Sequence, residues 1–193
     1  QLFYFPTHDE PATPAAWGFK YETVRFKSAD GTPLHGWLIP NRGAVDKGTV
    51  VFSHGNSGSI GHHLGFVVWL AEAGYNVLMY DYRGFGKSGG SVDRRGIVDD
   101  VKAAFSYAAE RRDVDAGRLV SFGHSLGGAK SVTALGVRDE VVPVSQGRQL
   151  FESARQPKTL FEVQAGRHGD SLSRDHGAFR KRMLVWLDGI MNG

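Results

Sequence analysis

Polar and apolar positions along the chain change period twice. Tyr21-Glu22-Thr23-Val24-Arg25-Phe26-Lys27 alternates, as a half-buried strand does. Ala29-Asp30-Gly31-Thr32 carries the Asp-Gly turn signal, and Leu34–Ile39 follows as a second strand closed by Pro40. The two are expected to form a hairpin at the start of a sheet. Beyond it the strands become short apolar runs, Thr49–Phe52, Asn76–Tyr80 and Arg118–Phe122, the signature of buried parallel strands. Between them lie segments of helical spacing: Leu64 to Ala73, closed by Gly74, and Ile97, Val98, Val101, Ala104, Phe105 and Ala108. Thr159–Val163 reads as a last strand, and Phe179, Met183, Trp186, Leu187 and Ile190 mark a final amphipathic helix. Strands alternating with helices predict an α/β fold, a mostly parallel sheet with helices on both faces. The whole chain, 1–193, is read as one domain, and residues 6–16, rich in Pro and Ala, as an extended surface arm.

Composition changes this picture little. Hydrophobic residues are 41% of the chain and charged residues 22%, ordinary for a globular protein. The net charge of +3 comes from interspersed signs, so no nucleic-acid track is expected. Arg180-Lys181-Arg182 is read as a solvated helix face. The absence of cysteine excludes disulfides, thiolate zinc sites and a cysteine nucleophile. No apolar run is long enough to cross a bilayer. The chain starts at Gln1, taken as an artificial or processing boundary, with any anchor lying upstream of it.

The chemistry concentrates in five segments. Gly123-His124-Ser125-Leu126-Gly127 matches G-x-S-x-G between an expected strand and an expected helix. That context makes it a nucleophile elbow. Glycines flank the serine where side chains would clash, and the helix start favours negative charge at the site. Ser125 is the candidate nucleophile. His54-Gly55-Asn56-Ser57-Gly58 follows the strand Thr49–Phe52, and its Asn56 N–H is paired with that of Leu126 as the expected oxyanion hole. Asp81-Tyr82-Arg83-Gly84-Phe85-Gly86-Lys87-Ser88 lacks the phosphate-loop and dinucleotide spacings. Asp81 and Arg83 are expected instead to tie that loop together. His168, after the last strand, is the candidate base, with His176 its rival. Asp139 is the candidate acid, with Asp170 as the local alternative. The order serine, acid, histidine is the one this fold uses.

The motifs together resemble the bud-emergence-homologue group of the α/β-hydrolase superfamily. Phe3-Tyr4-Phe5-Pro6-Thr7, His-Gly-Asn-Ser-Gly, Asp-Tyr-Arg-Gly-Phe-Gly-Lys-Ser, Gly-His-Ser-Leu-Gly-Gly and Arg-Asp-Glu-Val-Val-Pro occur in that order, over residues 3–135 and 137–190. The resemblance implies an α/β-hydrolase fold, the triad Ser125, Asp139 and His168, and a small ester or thioester as substrate. Acyl transfer by such a triad needs no cofactor and no metal, and no nucleic acid is expected as a partner. The resemblance also implies a cytoplasmic or membrane-associated setting, through an anchor outside this chain. A serine peptidase, or a scaffold that has lost catalysis, is the competing expectation.

One departure stands out. Ser125 and Asp139 are 14 positions apart, where the family places a helix, a core strand, a lid and further core elements. A helix from Leu126 to Leu135 carries the chain roughly 15 Å from the elbow. The four steps from Leu135 to Asp139 span at most about 14 Å. The expectation is that the chain lacks the lid and the adjacent core elements, with the join near residues 135–136; a real deletion in a minimal hydrolase is the alternative.

Overall fold

The computed structural model describes residues 4–135, 152 and 177–191. Its strands are β1 (Phe5–Pro6), β2 (Glu22–Lys27), β3 (Pro33–Ile39), β4 (Thr49–Ser53), β5 (Ser57–Gly58), β6 (Asn76–Tyr80) and β7 (Leu119–Gly123). Its helices are α1 (Val68–Glu72), α2 (Gly96–Glu110), α3 (Leu126–Leu135) and α4 (Ala178–Met191). Five strands form one sheet in the order β2-β3-β6-β4-β7. β2 and β3 pair antiparallel as the expected hairpin, turned at Gly31 (φ 86°). β3 also runs antiparallel to β6, while β4 is parallel to both β6 and β7. β6 and β4 lie inside the sheet and are buried along their whole length, because they are apolar on both faces and need cover over each; β7 borders β4 at the edge of the described sheet.

Alternation along the central strands divides the core. Val50, Phe52, Val77 and Met79 pack with Leu70, Met183 and Leu187 of α1 and α4. Val51, Leu78 and Tyr80 pack with Ile97, Val101 and Ala104 of α2. Fully burying a side chain of this size contributes roughly 2 kcal/mol. α4 is further tied down by Asp188, which accepts hydrogen bonds from the Tyr75 hydroxyl (2.6 Å) and Lys47 Nζ (3.0 Å).

Three expectations are corrected. The helix read over 64–73 begins as a 3-10 helix, Ile60–Phe66, and becomes α1 only at Val68. A Ser59/His62 capping box starts the first piece, and Val67 (φ −133°) breaks it from the second. The arm is not simply extended surface. It holds β1 and a 3-10 helix, Pro14–Trp17, and buries Pro14. In the basic triplet only Lys181 and Arg182 are exposed, whereas Arg180 lies over the Trp69 ring. The expected strand 159–163 and the join near 135–136 border or lie outside the described residues.

Candidate active site

β4 and β7 are neighbouring parallel strands, with Ser53 beside Gly123. Their chains therefore leave the sheet side by side at its C-terminal edge, where open α/β sheets place ligands. The turn after β7 is tight. The His124 N–H donates to the Ser53 carbonyl (3.0 Å), and the Gly127 and Gly128 N–H groups donate back to the carbonyls of His124 and Ser125. Ser125 has φ 55°, and it is the single non-glycine residue at positive φ among the described residues. Holding such a conformation costs on the order of 1–3 kcal/mol and marks functional turns.

The glycines of the motif are required by close approach. A Cβ on Gly127 would lie 1.9 Å from the Ser53 carbonyl oxygen. One on Gly123 would lie 2.3 Å from the Gly128 nitrogen. Leu126 opens α3, and the first N–H groups of a helix have no partner inside it. Ser125 thus stands on a strand-turn-helix elbow at the positive end of a helix.

The neighbouring loop, His54 to Ser59, is held from outside. His54 is buried, and its Nδ1–H donates to the Gly55 carbonyl (2.7 Å). That carbonyl and the Asn56 N–H belong to one peptide plane, so the imidazole fixes the direction in which the N–H points. The Asn56 carbonyl accepts from Phe5 N–H (2.8 Å) in the β1–β5 pairing. Asp81 is fully buried behind the loop; its Oδ1 accepts from Ile60 N–H (2.8 Å) and lies 4.0 Å from His54 Nε2. Gly86 lies so close to Asp81 that a Cβ would fall 2.0 Å from Oδ2. The Tyr82 hydroxyl donates to the His54 carbonyl (2.9 Å). Burial drives His54 down to about 4, against the opposing pull of Asp81, and it lowers His63 as well. Both imidazoles are neutral at pH 7.

Arg83 ties the loop after β6 to α2 and to the β2–β3 turn rather than to Asp81. The Arg83 guanidinium pairs with buried Asp100 (2.7 Å) and with Asp30 (2.6 Å), and donates to Ser28 Oγ (3.0 Å). The bond to Asp100 is the chief cause of its raised pKa. Asp81 acts instead on the His54 loop, a role that no local pattern announces. The His124 ring packs at a tilt of 36° against Phe66, with centroids 4.2 Å apart. Asp139, His168, Asp170 and His176 lie outside the described residues. Of the expected site residues the structure therefore brings together Ser125, Leu126 and Asn56, on adjacent loops of one sheet edge. No group of three or more His, Asp or Glu among the described residues could hold a metal ion. No helix among them is long and apolar enough to cross a membrane.

Residues 44–137 match the family model described as serine aminopeptidase, S33. The uncharacterized protein YfhR of Escherichia coli K12 is 30% identical over 252 residues, covering 99% of this chain and 88% of its own. The chain is an α/β-hydrolase. The hydrolase is also 39% identical to the α/β hydrolase domain-containing protein WAV2 of Arabidopsis thaliana, over 62% of its own length and 39% of that protein. Among solved structures it is similar to the esterase Pf2001 of Pyrococcus furiosus: TM-score 0.61, 27% identity, 70% of this chain and 52% of that one. The hydrolase thus spans about half of the esterase it superposes on. Its alignment with YfhR runs over 252 residues although it has only 193, so YfhR carries a stretch with no counterpart here. The match to the family model stops at residue 137, beside the place where the sequence reading put the join.

Proposed function

We propose that this chain cleaves a carboxylic ester or thioester of a small molecule by acyl transfer from Ser125 to water. The observation that carries the reading is Ser125 itself, a serine at φ 55° on a turn whose glycines tolerate no side chain. Similarity to a solved esterase supports it. Ser125 Oγ attacks the carbonyl carbon and gives its proton to His168, which Asp139 orients. The N–H groups of Asn56 and Leu126 hold the oxyanion, each contributing roughly 3 kcal/mol to the barrier reduction. His168 passes its proton to the departing alkoxide or thiolate. It then takes a proton from water, which attacks the acyl carbon, and Ser125 leaves reprotonated. The sequence requires neither metal nor cofactor.

The test is a short-chain ester and a fluorophosphonate, applied to the chain and to Ser125→Ala. Hydrolysis and a single adduct on Ser125, both lost in the variant, are expected. Undiminished hydrolysis by Ser125→Ala would refute the mechanism, and an unlabelled Ser125 would favour a scaffold. The serine aminopeptidase family match favours a second reading, a peptidase using the same residues. Faster turnover of a peptide anilide than of the ester would establish it.

A further inference from the structure

The arm that precedes the sheet makes an unusual set of contacts. Its backbone runs parallel to β5, with Phe5 N–H donating to the Asn56 carbonyl (2.8 Å) and Thr7 N–H to the Gly58 carbonyl (3.2 Å). Further along, the Asp9 carbonyl accepts from the Ser59 hydroxyl (2.7 Å), and Ser59 is fully buried. The other edge of the arm grips the loop after β6. Gly86 N–H donates to the Thr7 carbonyl (2.8 Å), His8 Nδ1–H donates to the Gly86 carbonyl (3.0 Å), and Glu10 pairs with Lys87. A Cβ on Gly61 would lie 2.8 Å from the Ala12 carbonyl oxygen, so arm and loop are in direct contact.

The consequence falls on one peptide group. Asn56 joins two peptide planes. The plane before it is held by His54, and the plane after it is held by Phe5. The first plane carries the Asn56 N–H and sets its direction; the second holds the Asn56 carbonyl and so fixes where the Cα bearing that N–H sits. From this geometry we infer that residues Phe5–Asp9 position the oxyanion loop, and that Phe5 N–H and the Ser59–Asp9 bond fix the place from which the Asn56 N–H, aimed by His54, reaches the site. This rests on the reading of Asn56 as an oxyanion donor. The arm touches no reacting atom; it acts through Asn56. Displacement of a catalytic group by about 1 Å can cost a hundredfold in rate, so a strap of this kind governs turnover.

The experiment uses the full chain and two variants. Phe5→Pro removes the N–H donated to Asn56. Ser59→Ala removes the hydroxyl donated to Asp9. Each is measured for kcat and KM on a short-chain ester, for affinity toward an alkyl boronic acid that forms a tetrahedral adduct on serine, and for melting temperature. The expected result is a fall in kcat of about tenfold to a hundredfold, with KM changed by less than roughly twofold. Boronic acid affinity should fall in parallel with kcat. A merely structural arm would lower the melting temperature and leave kcat and boronic acid affinity intact in the folded fraction, and that result overturns the inference. If Phe5→Pro does not fold, Ser59→Ala alone decides by the same criteria. The proposed function fails separately: Ser125→Ala would then retain hydrolysis. With Ser125→Ala inert and folded arm variants fully active, only the positioning role falls.

Discussion

The two turns at the catalytic edge are built by opposite means. The elbow after β7 is set by its own backbone, two glycines and one strained serine within five residues, pressed against the end of β4. The turn after β4 has one internal tie, from His54 to the Gly55 carbonyl, and otherwise depends on the rest of the chain. It is fixed by Phe5, Asp9, Asp81 and Tyr82, residues drawn from elsewhere in the chain. One turn is a property of a short sequence, whereas the other is a property of the fold. The first therefore breaks by a local clash, and the second by loss of a distant tether.

The largest effect expected is from Gly127→Ala. Its Cβ would fall 1.9 Å from the Ser53 carbonyl oxygen, backbone that cannot yield without separating β4 from β7. A loss of about 4 kcal/mol, the range of severe single substitutions, should appear in the urea midpoint, together with loss of fluorophosphonate labelling. A variant as stable as the parent chain would show that the elbow is less constrained than its packing indicates.

The tethered turn should show itself in pH dependence. His54 is held near 4 by burial, while an unfolded histidine titrates near 6.5. Above pH 6.5 both states are neutral and the stability is complete. As pH falls from 6.5 toward 4 the unfolded chain takes up a proton that the folded chain refuses, and stability declines, by roughly 3 kcal/mol in all. Urea unfolding at pH 7, 5.5 and 4.5 measures the slope. In His54→Gln the slope should shrink; an unchanged slope would assign it to other groups, His63 first.

The smallest effect expected is from Lys87→Ala. Lys87 is half exposed, and its ion pair with Glu10 should contribute under about 1 kcal/mol. Stability and kcat close to the parent values would show that backbone bonds, not this charge pair, hold the arm. A large loss would move the tether onto the ion pair.

This contrast explains what the sequence could and could not reveal. Apolar runs disclose β4 and β6 because each is buried on both faces, and β7 by the same run of apolar residues although only Val120 of it is buried. The elbow was legible because its glycines sit beside the serine they serve. The break at Val67 was not, since it depends on a capping box rather than on hydrophobic period. β1 was invisible, being two residues long, one of them proline, and paired with a strand more than fifty residues away. Asp81 was noted as a loop tie, but its hold on Ile60 and its position beside His54 come from packing alone. The candidate acid and base follow from motif order and family resemblance, which supply types of residue without supplying geometry.

The anchoring of α4 has a consequence for how this architecture changes over time. Met183 and Leu187 belong to the same core as Val50 and Phe52, and Asp188 is bound to Tyr75 and Lys47. The chain therefore returns to the frame at α4, which is fixed there by contacts with β4, α1, Tyr75 and Lys47. For a connection whose ends are already fixed, each doubling in length adds only about 0.6 kcal/mol of closure cost. A change in the length of chain between α3 and α4 therefore adds little closure cost, while the contacts that hold α4 to β4, Tyr75 and Lys47 stay the same.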